Sequence, residues 1–155
     1  MDGMVEICDP WDNVKSQLQP DGSLRDIFIP GASPDHWDRF LHWVMNRNQP
    51  IVFRHGMAVT KLPDSLEDIR KLQESDTVLL TFPAGKLRLN CHFFEDDEME
   101  FDLDPRSIAG EGHYDDLTGL MASFSALMGK TVYLTRESAP DQVITAISPN
   151  AKVVG

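Results

Sequence analysis

Cysteine is scarce in this sequence, which excludes a fold held together by a framework of disulfide bonds. The 155 residues include two cysteines, Cys8 and Cys91, whereas disulfide-stapled secreted domains carry several pairs. Cys91 lies in an alternating apolar pattern, where a cysteine usually acts as a small buried hydrophobe. A chain of this length buries a sizeable core without cross-links. We therefore expect one domain over 1–155, with 1–20 and 148–155 at its periphery.

Long apolar runs and a secretory leader are missing as well. The apolar stretches fall far short of the roughly 20 residues that a membrane helix needs. The segment after Met1 has no basic start followed by an apolar run, as a signal peptide would have. The sequence therefore predicts a cytoplasmic protein with no membrane partner.

Basic residues are few compared with acidic ones. The sequence holds 25 acidic and 14 basic residues, which gives a formal net charge of −11. Such a chain repels phosphate backbones, so a nucleic-acid partner is not expected. It attracts basic proteins instead, and that attraction weakens as salt is added.

Motifs of known chemistry are absent too. Neither Ser123 nor Ser125 lies in a G-x-S-x-G motif, and 83–86 lacks the spacing of a phosphate-binding loop. The five histidines include no H-x-x-x-H pair, and the acidic run lacks the spacing of a calcium loop. We therefore assign no catalytic residue, no metal ligand and no cofactor, and expect a protein that is not an enzyme.

Helical periodicity is clear in two segments. Ser33 suits an N-cap and Pro34 the first helical position, and Trp37, Phe40, Leu41 and Val44 then form one apolar face. The second helix has a broader stripe and is followed by Gly129, a residue typical of helix C-termini. That stripe comprises Leu117, Leu120, Met121, Phe124, Leu127 and Met128.

Two shorter helical segments are also indicated. Trp11, Val14 and Leu18 are spaced for a short amphipathic turn. Asp64 and Glu67 have the spacing of a capping box, which predicts a surface helix over 65–73.

Strands account for most of the remaining apolar residues, because apolar and polar side chains alternate there. The predicted strands are 24–29, 51–54, 77–82, 86–94, 99–103, 131–135 and 143–147. This arrangement predicts an α+β fold with a mainly antiparallel sheet, a three-stranded meander over 77–103, and helices packed on one face.

Side-chain parity sets the register of that meander, since residues opposite each other across two strands share a face. A three-residue loop at 95–97 keeps apolar residues opposite apolar residues. The polar pairs that result are Asn90 with Asp102, His92 with Glu100 and Arg88 with Asp104. A two-residue loop at 84–85 gives a second set of pairs. These are Phe82 with Leu87, Leu80 with Leu89 and Val78 with Cys91.

Acidic residues gather on the polar face of the meander and in its second turn. Carboxylates that emerge together favour an electrostatic docking face for a basic protein, although a plain solvated face has the same pattern. The candidate partner-binding residues are Arg88, His92, Glu95, Asp96, Asp97, Glu100, Asp102 and Asp104. His92 beside Glu100 leaves a second interpretation open, because a histidine–carboxylate pair can act as a general base or hold a metal.

Three parts of the sequence are distinctive together, namely 22–27 (GSLRDI), the helix that contains Trp37, and 90–94 (NCHFF) through 100–105 (EFDLDP). In these parts the chain resembles small bacterial proteins that occur as immunity partners of secreted toxins. The resemblance implies a cytoplasmic bacterial protein that binds another protein, and it carries over no functional residues.

Three functions follow as hypotheses. The first is a non-enzymatic protein-binding module, an immunity protein that neutralises a basic toxin domain. The second is a small-ligand or metal-assisted enzyme that uses His92 and Glu100. The third is a structural homo-oligomer such as a homodimer.

Overall fold

The computed structural model describes residues 8–149, which form one eight-stranded antiparallel sheet and four α-helices. The α+β fold is therefore confirmed. The strands are β1 (Arg25–Pro30), β2 (Val52–His55), β3 (Ala58–Thr60), β4 (Val78–Ala84), β5 (Leu87–Cys91), β6 (Glu98–Leu103), β7 (Val132–Arg136) and β8 (Ala139–Ile147). The helices are α1 (Trp11–Val14), α2 (Pro34–Asn46), α3 (Leu66–Gln73) and α4 (Glu111–Met128), with short 3-10 helices at Lys15–Leu18 and Pro105–Ser107.

The strand order is β3-β2-β4-β5-β6-β1-β7-β8. The predicted meander lies in the middle of the sheet as β4, β5 and β6. The first strand of the chain, β1, then pairs with both β6 and β7. The whole sheet is therefore not a simple meander, and the insertion of β1 brings residues 25–30 beside the acidic strand β6.

The hydrophobic core lies between the helices and one face of the sheet. Phe40 of α2 and Phe124 of α4 both contact Phe101 of β6, with ring centroids 4.9 Å and 4.8 Å apart. Trp37 joins this group from α2 and is buried, whereas Trp43 is half-buried beside Phe124. The predicted apolar face of the meander is confirmed, since its members are all fully buried. They are Leu89, Cys91, Phe101 and Leu103.

Helix termini follow the sequence signals in two of three cases. Ser33 and Pro34 occupy the N-cap and first position of α2. Gly129 ends α4 in the left-handed region with φ of 65°, and its N–H donates to the Ser125 carbonyl at 2.9 Å. The predicted capping box of α3 is wrong by one residue. Ser65 is the N-cap there, and its Oγ accepts the backbone N–H of Asp68 at 3.2 Å.

The predicted register between β4 and β5 is wrong by two residues. The observed pairs are Ala84 with Leu87, Phe82 with Leu89 and Leu80 with Cys91. The turn is therefore Gly85-Lys86, with Gly85 at a φ of 58°. Asp116 of α4 fixes this position, because its carboxylate accepts the Lys86 N–H at 3.1 Å and lies where a Cβ on Gly85 would be. Because side chains alternate between the two faces of a sheet, a register shift of two residues leaves every side chain on its predicted face.

The N-terminal part of the described chain contributes to the core. Val14 and Leu18 are buried, as their spacing with Trp11 predicts. The remaining parts of the predicted peripheral segments, 1–7 and 150–155, lie outside the described residues. Of the helices between residues 8 and 149, none has the length and apolar character required to span a membrane.

Candidate functional site

A row of polar side chains crosses the sheet on the face opposite the helices. Strand pairing places its members side by side on β4, β5, β6, β1 and β7. They are Thr81, Asn90, Asp102, Asp26 and Thr135. The Thr81 hydroxyl donates to Asn90 Oδ1 at 2.9 Å, and Asn90 Nδ2 donates to Asp102 Oδ1 at 3.1 Å. This chain of hydrogen bonds fixes one oxygen of the Asp102 carboxylate.

His92 engages the other oxygen of the same carboxylate. Its Nε2 lies 3.3 Å from Asp102 Oδ2. Asn90 is paired with Asp102 as predicted, but β5 ends at Cys91 and the backbone turns at Phe93, which has a φ of 57°. The β5–β6 ladder has the predicted register at Asn90 and Asp102 but does not extend to His92 and Glu100, and the His92 imidazole contacts Asp102. Glu100 lies close enough for its charge to contribute to the raised pKa of His92, and on its other side it lies opposite Phe28 of β1.

Two carboxyl groups on this face, those of Asp26 and Glu100, have raised pKa values. Burial raises the pKa of Asp26 to about 7, and the charges of Glu100 and Asp102 add to that effect. A hydrogen bond from the Ser138 N–H to Asp26 Oδ2, at 2.8 Å, opposes it. Burial and the charge of Asp102 likewise raise the pKa of Glu100. The pKa of His92 is raised first by its hydrogen bond with Asp102, against the effect of partial burial.

Phe94 stands next to this network and is 63% exposed. Its ring stacks on the His92 imidazole, with centroids 4.9 Å apart and planes within 7° of parallel. An aromatic ring that is held in place yet left open to solvent can anchor a protein partner, because aromatic residues are enriched at protein interfaces.

The loop that carries Phe94, 92–97, is anchored on both sides. Arg70 of α3 donates to the Asp96 carboxylate at 2.6 Å and to the carbonyl of Phe93. Trp37 Nε1 donates to the Glu95 carbonyl at 2.9 Å, and the Ala32 N–H donates to the Asp97 carbonyl at 2.8 Å. The loop therefore presents its side chains from a fixed backbone.

The acidic residues of this loop and of β6 include both paired and unpaired carboxylates, and one of them, Glu98, was not among the predicted partner-binding residues. Asp96 is paired with Arg70, and Asp102 is buried and hydrogen-bonded. Within residues 8–149, the side chains of Glu95, Asp97 and Glu98 form no ion pair and are exposed. The unpaired negative charge is therefore concentrated directly after Phe94.

The two remaining candidate residues, Arg88 and Asp104, lie at the ends of β5 and β6 that are far from Phe94. Asp104 binds Arg106 at 2.6 Å and its side chain also accepts the Arg106 N–H, which starts the short helix at Pro105–Ser107. The predicted pairing of Arg88 with Asp104 is therefore wrong, because the chain leaves the sheet at Leu103. Arg88 is exposed and lies opposite Pro83 of β4.

A cleft of about 410 Å³ opens between the end of α3 and the ring of Phe94. Its walls are formed by eight residues, namely Gln73, Glu74, Ser75, Asp76, Thr77, Val78, His92 and Phe94. Sequence reasoning missed this cleft because its two walls come from separate parts of the chain, with Gln73 and Phe93 20 residues apart. One signal was present, since Phe94 is an apolar residue at a position that the strand alternation assigns to the polar face.

Metal-binding geometry is not found in the part of the chain that the structure describes. No group of three or more His, Cys, Asp or Glu side chains between residues 8 and 149 is arranged to hold an ion. The chain was also compared with protein-family models, with curated proteins and with solved structures, and it matches none of them.

Proposed function

We propose that the chain is a non-enzymatic protein-binding module that docks a basic protein, as a bacterial immunity protein does when it neutralises a basic toxin domain. The observation that carries the proposal is Phe94, an exposed aromatic side chain on an anchored loop, followed by three exposed carboxylates that have no ion-pair partner among residues 8–149. Protein interfaces commonly combine a central aromatic anchor with charged groups at the rim.

Electrostatics supports a basic partner. The chain carries a net charge of −11, and Glu95, Asp97 and Glu98 add a local concentration of that charge beside Phe94. Exposed carboxylates so close together repel one another and destabilise the folded state. A basic surface would relieve this repulsion and would be steered to the site by the field.

The test is recovery of a partner from the native source at low salt. Wild-type protein should retain a basic protein that the variant Phe94→Ala and the double variant Glu95→Gln/Glu98→Gln retain weakly. The double variant Glu111→Gln/Asp115→Asn is the matched control, because it removes the same charge from exposed positions on α4. Equal recovery by all four proteins, or recovery by none, would contradict the proposal.

A small-ligand enzyme is the second candidate, and the position of His92 favours it. The imidazole is oriented by Asp102, carries a raised pKa and lines the cleft. Such a pair can transfer protons to or from a bound ligand. On this alternative, His92→Ala would abolish turnover of a small molecule. Any basic protein recovered with the wild type would be recovered equally by Phe94→Ala.

A further inference from the structure

We propose that the cleft between α3 and Phe94 receives an arginine side chain of the basic partner. This inference rests on the proposed function and names one contact of that interface. It depends on three features of the cleft: unpaired carboxylates, an aromatic face and a fixed width.

The carboxylates come from Glu74 and Asp76, directly after α3. Both side chains are exposed and line the cleft, and neither forms an ion pair with another of the residues 8–149. One oxygen of Asp76 accepts the Thr77 N–H at 2.8 Å, so the position of this carboxylate is fixed. The cleft also lies at the C-terminal end of α3, where the helix dipole favours a cation.

The aromatic face is that of Phe94. One side of its ring is covered by His92, so the exposed area of the residue includes the opposite side. A guanidinium group stacks on such a face more favourably than an ammonium group, because it is planar and more weakly hydrated. The same chain already contains this contact, since the guanidinium carbon of Arg47 lies 4.6 Å from the ring centre of Trp43.

Gln73 fixes the width of the cleft. Its Nε2 donates to the carbonyls of Phe93 at 3.1 Å and His92 at 3.4 Å, which ties the end of α3 to the loop. Arg70, one turn earlier, reaches the same loop through Asp96. The two walls are therefore held together before a ligand arrives, and preorganisation of this kind reduces the entropy cost of binding.

The probe is a capped five-residue peptide, Gly-Gly-Arg-Gly-Gly, titrated into the ¹⁵N-labelled full chain while amide shifts are followed. The amides of Ser75, Thr77 and Phe94 should move with the arginine peptide. A matched peptide with citrulline, which is neutral, should bind at least about tenfold more weakly, since it loses the charge-assisted hydrogen bonds. A matched lysine peptide should bind with an affinity between those of the arginine and citrulline peptides.

Two variants and one control locate the contact. Glu74→Gln/Asp76→Asn and Phe94→Leu should each reduce the affinity for the arginine peptide by about tenfold. A loss of that size corresponds to the removal of one strong interaction. The control Glu67→Gln/Asp68→Asn removes equal charge from α3, at positions that face Lys71, and should leave binding unchanged. Equal affinity for the arginine and citrulline peptides, or an equal effect of control and cleft variants, would overturn the inference.

The outcome also separates this inference from the proposed function. If a basic protein is retained through Phe94 and Glu98 but Glu74→Gln/Asp76→Asn has no effect on it or on the peptide, the arginine contact is wrong and the docking function stands. If the arginine peptide binds the cleft but no basic protein is retained, the cleft stands and the docking function fails.

Discussion

Asp26 and Asp102 lie directly opposite each other on the neighbouring strands β1 and β6, on the face of the sheet that the helices do not cover. Asp26 is only 4% exposed and Asp102 only 8%. Like charges directly opposite across two strands are destabilising, and burial adds to the cost of ionising both. Asp102 has hydrogen-bond donors in Asn90 and His92. Burial, together with the charges of Glu100 and Asp102, raises the pKa of Asp26 to about 7.

Replacing Asp26 by asparagine should change how stability depends on pH. Because the pKa of Asp26 is about 7 in the folded chain and 3.8 is its ordinary value, the folded state binds more protons than the unfolded state between these values. Stability from this group therefore falls as pH rises from about 4 to 7. Asp26→Asn should reduce that slope and stabilise the protein by about 1–4 kcal/mol at pH 8.

The measurement is urea unfolding at several pH values, with Asp141→Asn as the control for an exposed carboxylate. An Asp26→Asn variant with the wild-type slope would show that Asp26 ionises normally.

His92 should lose its elevated pKa when Asp102 is replaced by asparagine. The carboxylate hydrogen bond is the main cause of the elevation, and the neutral amide of the Asp102→Asn variant would supply no charge. We expect the pKa of His92 to fall towards its ordinary value, measured from the imidazole proton shifts. In wild-type protein this pair stabilises the fold below the ordinary pKa of histidine, and the contribution is lost as pH rises through the raised value.

His113, which accepts the Ala109 N–H through Nδ1, is a convenient second histidine in the same spectra. Its imidazole resonances at a given pH should be the same in wild-type protein and in Asp102→Asn. An unchanged His92 titration would mean that the ion pair is not formed in solution.

Phe124 and Phe94 should differ sharply in their effect on stability. Phe124 is fully buried among Phe40, Trp43 and Phe101, so Phe124→Ala should reduce the free energy of unfolding by about 3–5 kcal/mol. Phe94 is mostly exposed, and Phe94→Ala should cost no more than about 1 kcal/mol. Chemical denaturation of both variants tests this, and similar losses would show that one of the two side chains is misplaced.

Arg25 should be essential to the fold despite its charge. The residue is 1% exposed on the helix side of the sheet, where its guanidinium donates to the carbonyls of Gln17 at 2.9 Å and Gln19 at 3.1 Å. Removing it empties a buried position and breaks the charge-assisted hydrogen bonds that tie 17–19 to β1, so Arg25→Ala should destabilise the protein by about 2–4 kcal/mol.

The control for the arginine substitution is Arg106→Ala, because Arg106 is exposed, and its effect on stability should be much smaller than that of Arg25→Ala. A thermal-unfolding midpoint for Arg25→Ala close to that of wild type would contradict the assigned role.

The elements that sequence reasoning predicted well are those decided by local periodicity. The apolar face of α4 and the alternation in β5 and β6 need no information from elsewhere in the chain. The β4–β5 turn was misplaced because 84–85 and Gly85-Lys86 preserve the same alternation. The turn forms at Gly85-Lys86 because the carboxylate of Asp116, 30 residues away in the sequence, accepts the Lys86 N–H.

The site was only partly predictable for the same reason. The acidic run was visible in the sequence, but strand order is a property of the whole fold, so the placement of Asp26 beside Asp102 was not. The exposure of Phe94 depends on the left-handed backbone of Phe93, which no local pattern indicates. The edge strand β3 was missed because it is three residues long and all three residues are exposed, so it has no alternation of buried and exposed positions.

The association rate of the recovered basic partner, measured over a range of salt concentrations, tests the central claim most directly. If the partner docks on Phe94 and the carboxylates after it, the rate should fall steeply as salt is added, and Glu95→Gln/Glu98→Gln should lower both the rate and its salt dependence. The variant Phe94→Ala should mainly speed dissociation, since it removes a packing contact and no charge. An association rate that does not change with salt or with Glu95→Gln/Glu98→Gln would contradict docking at this site.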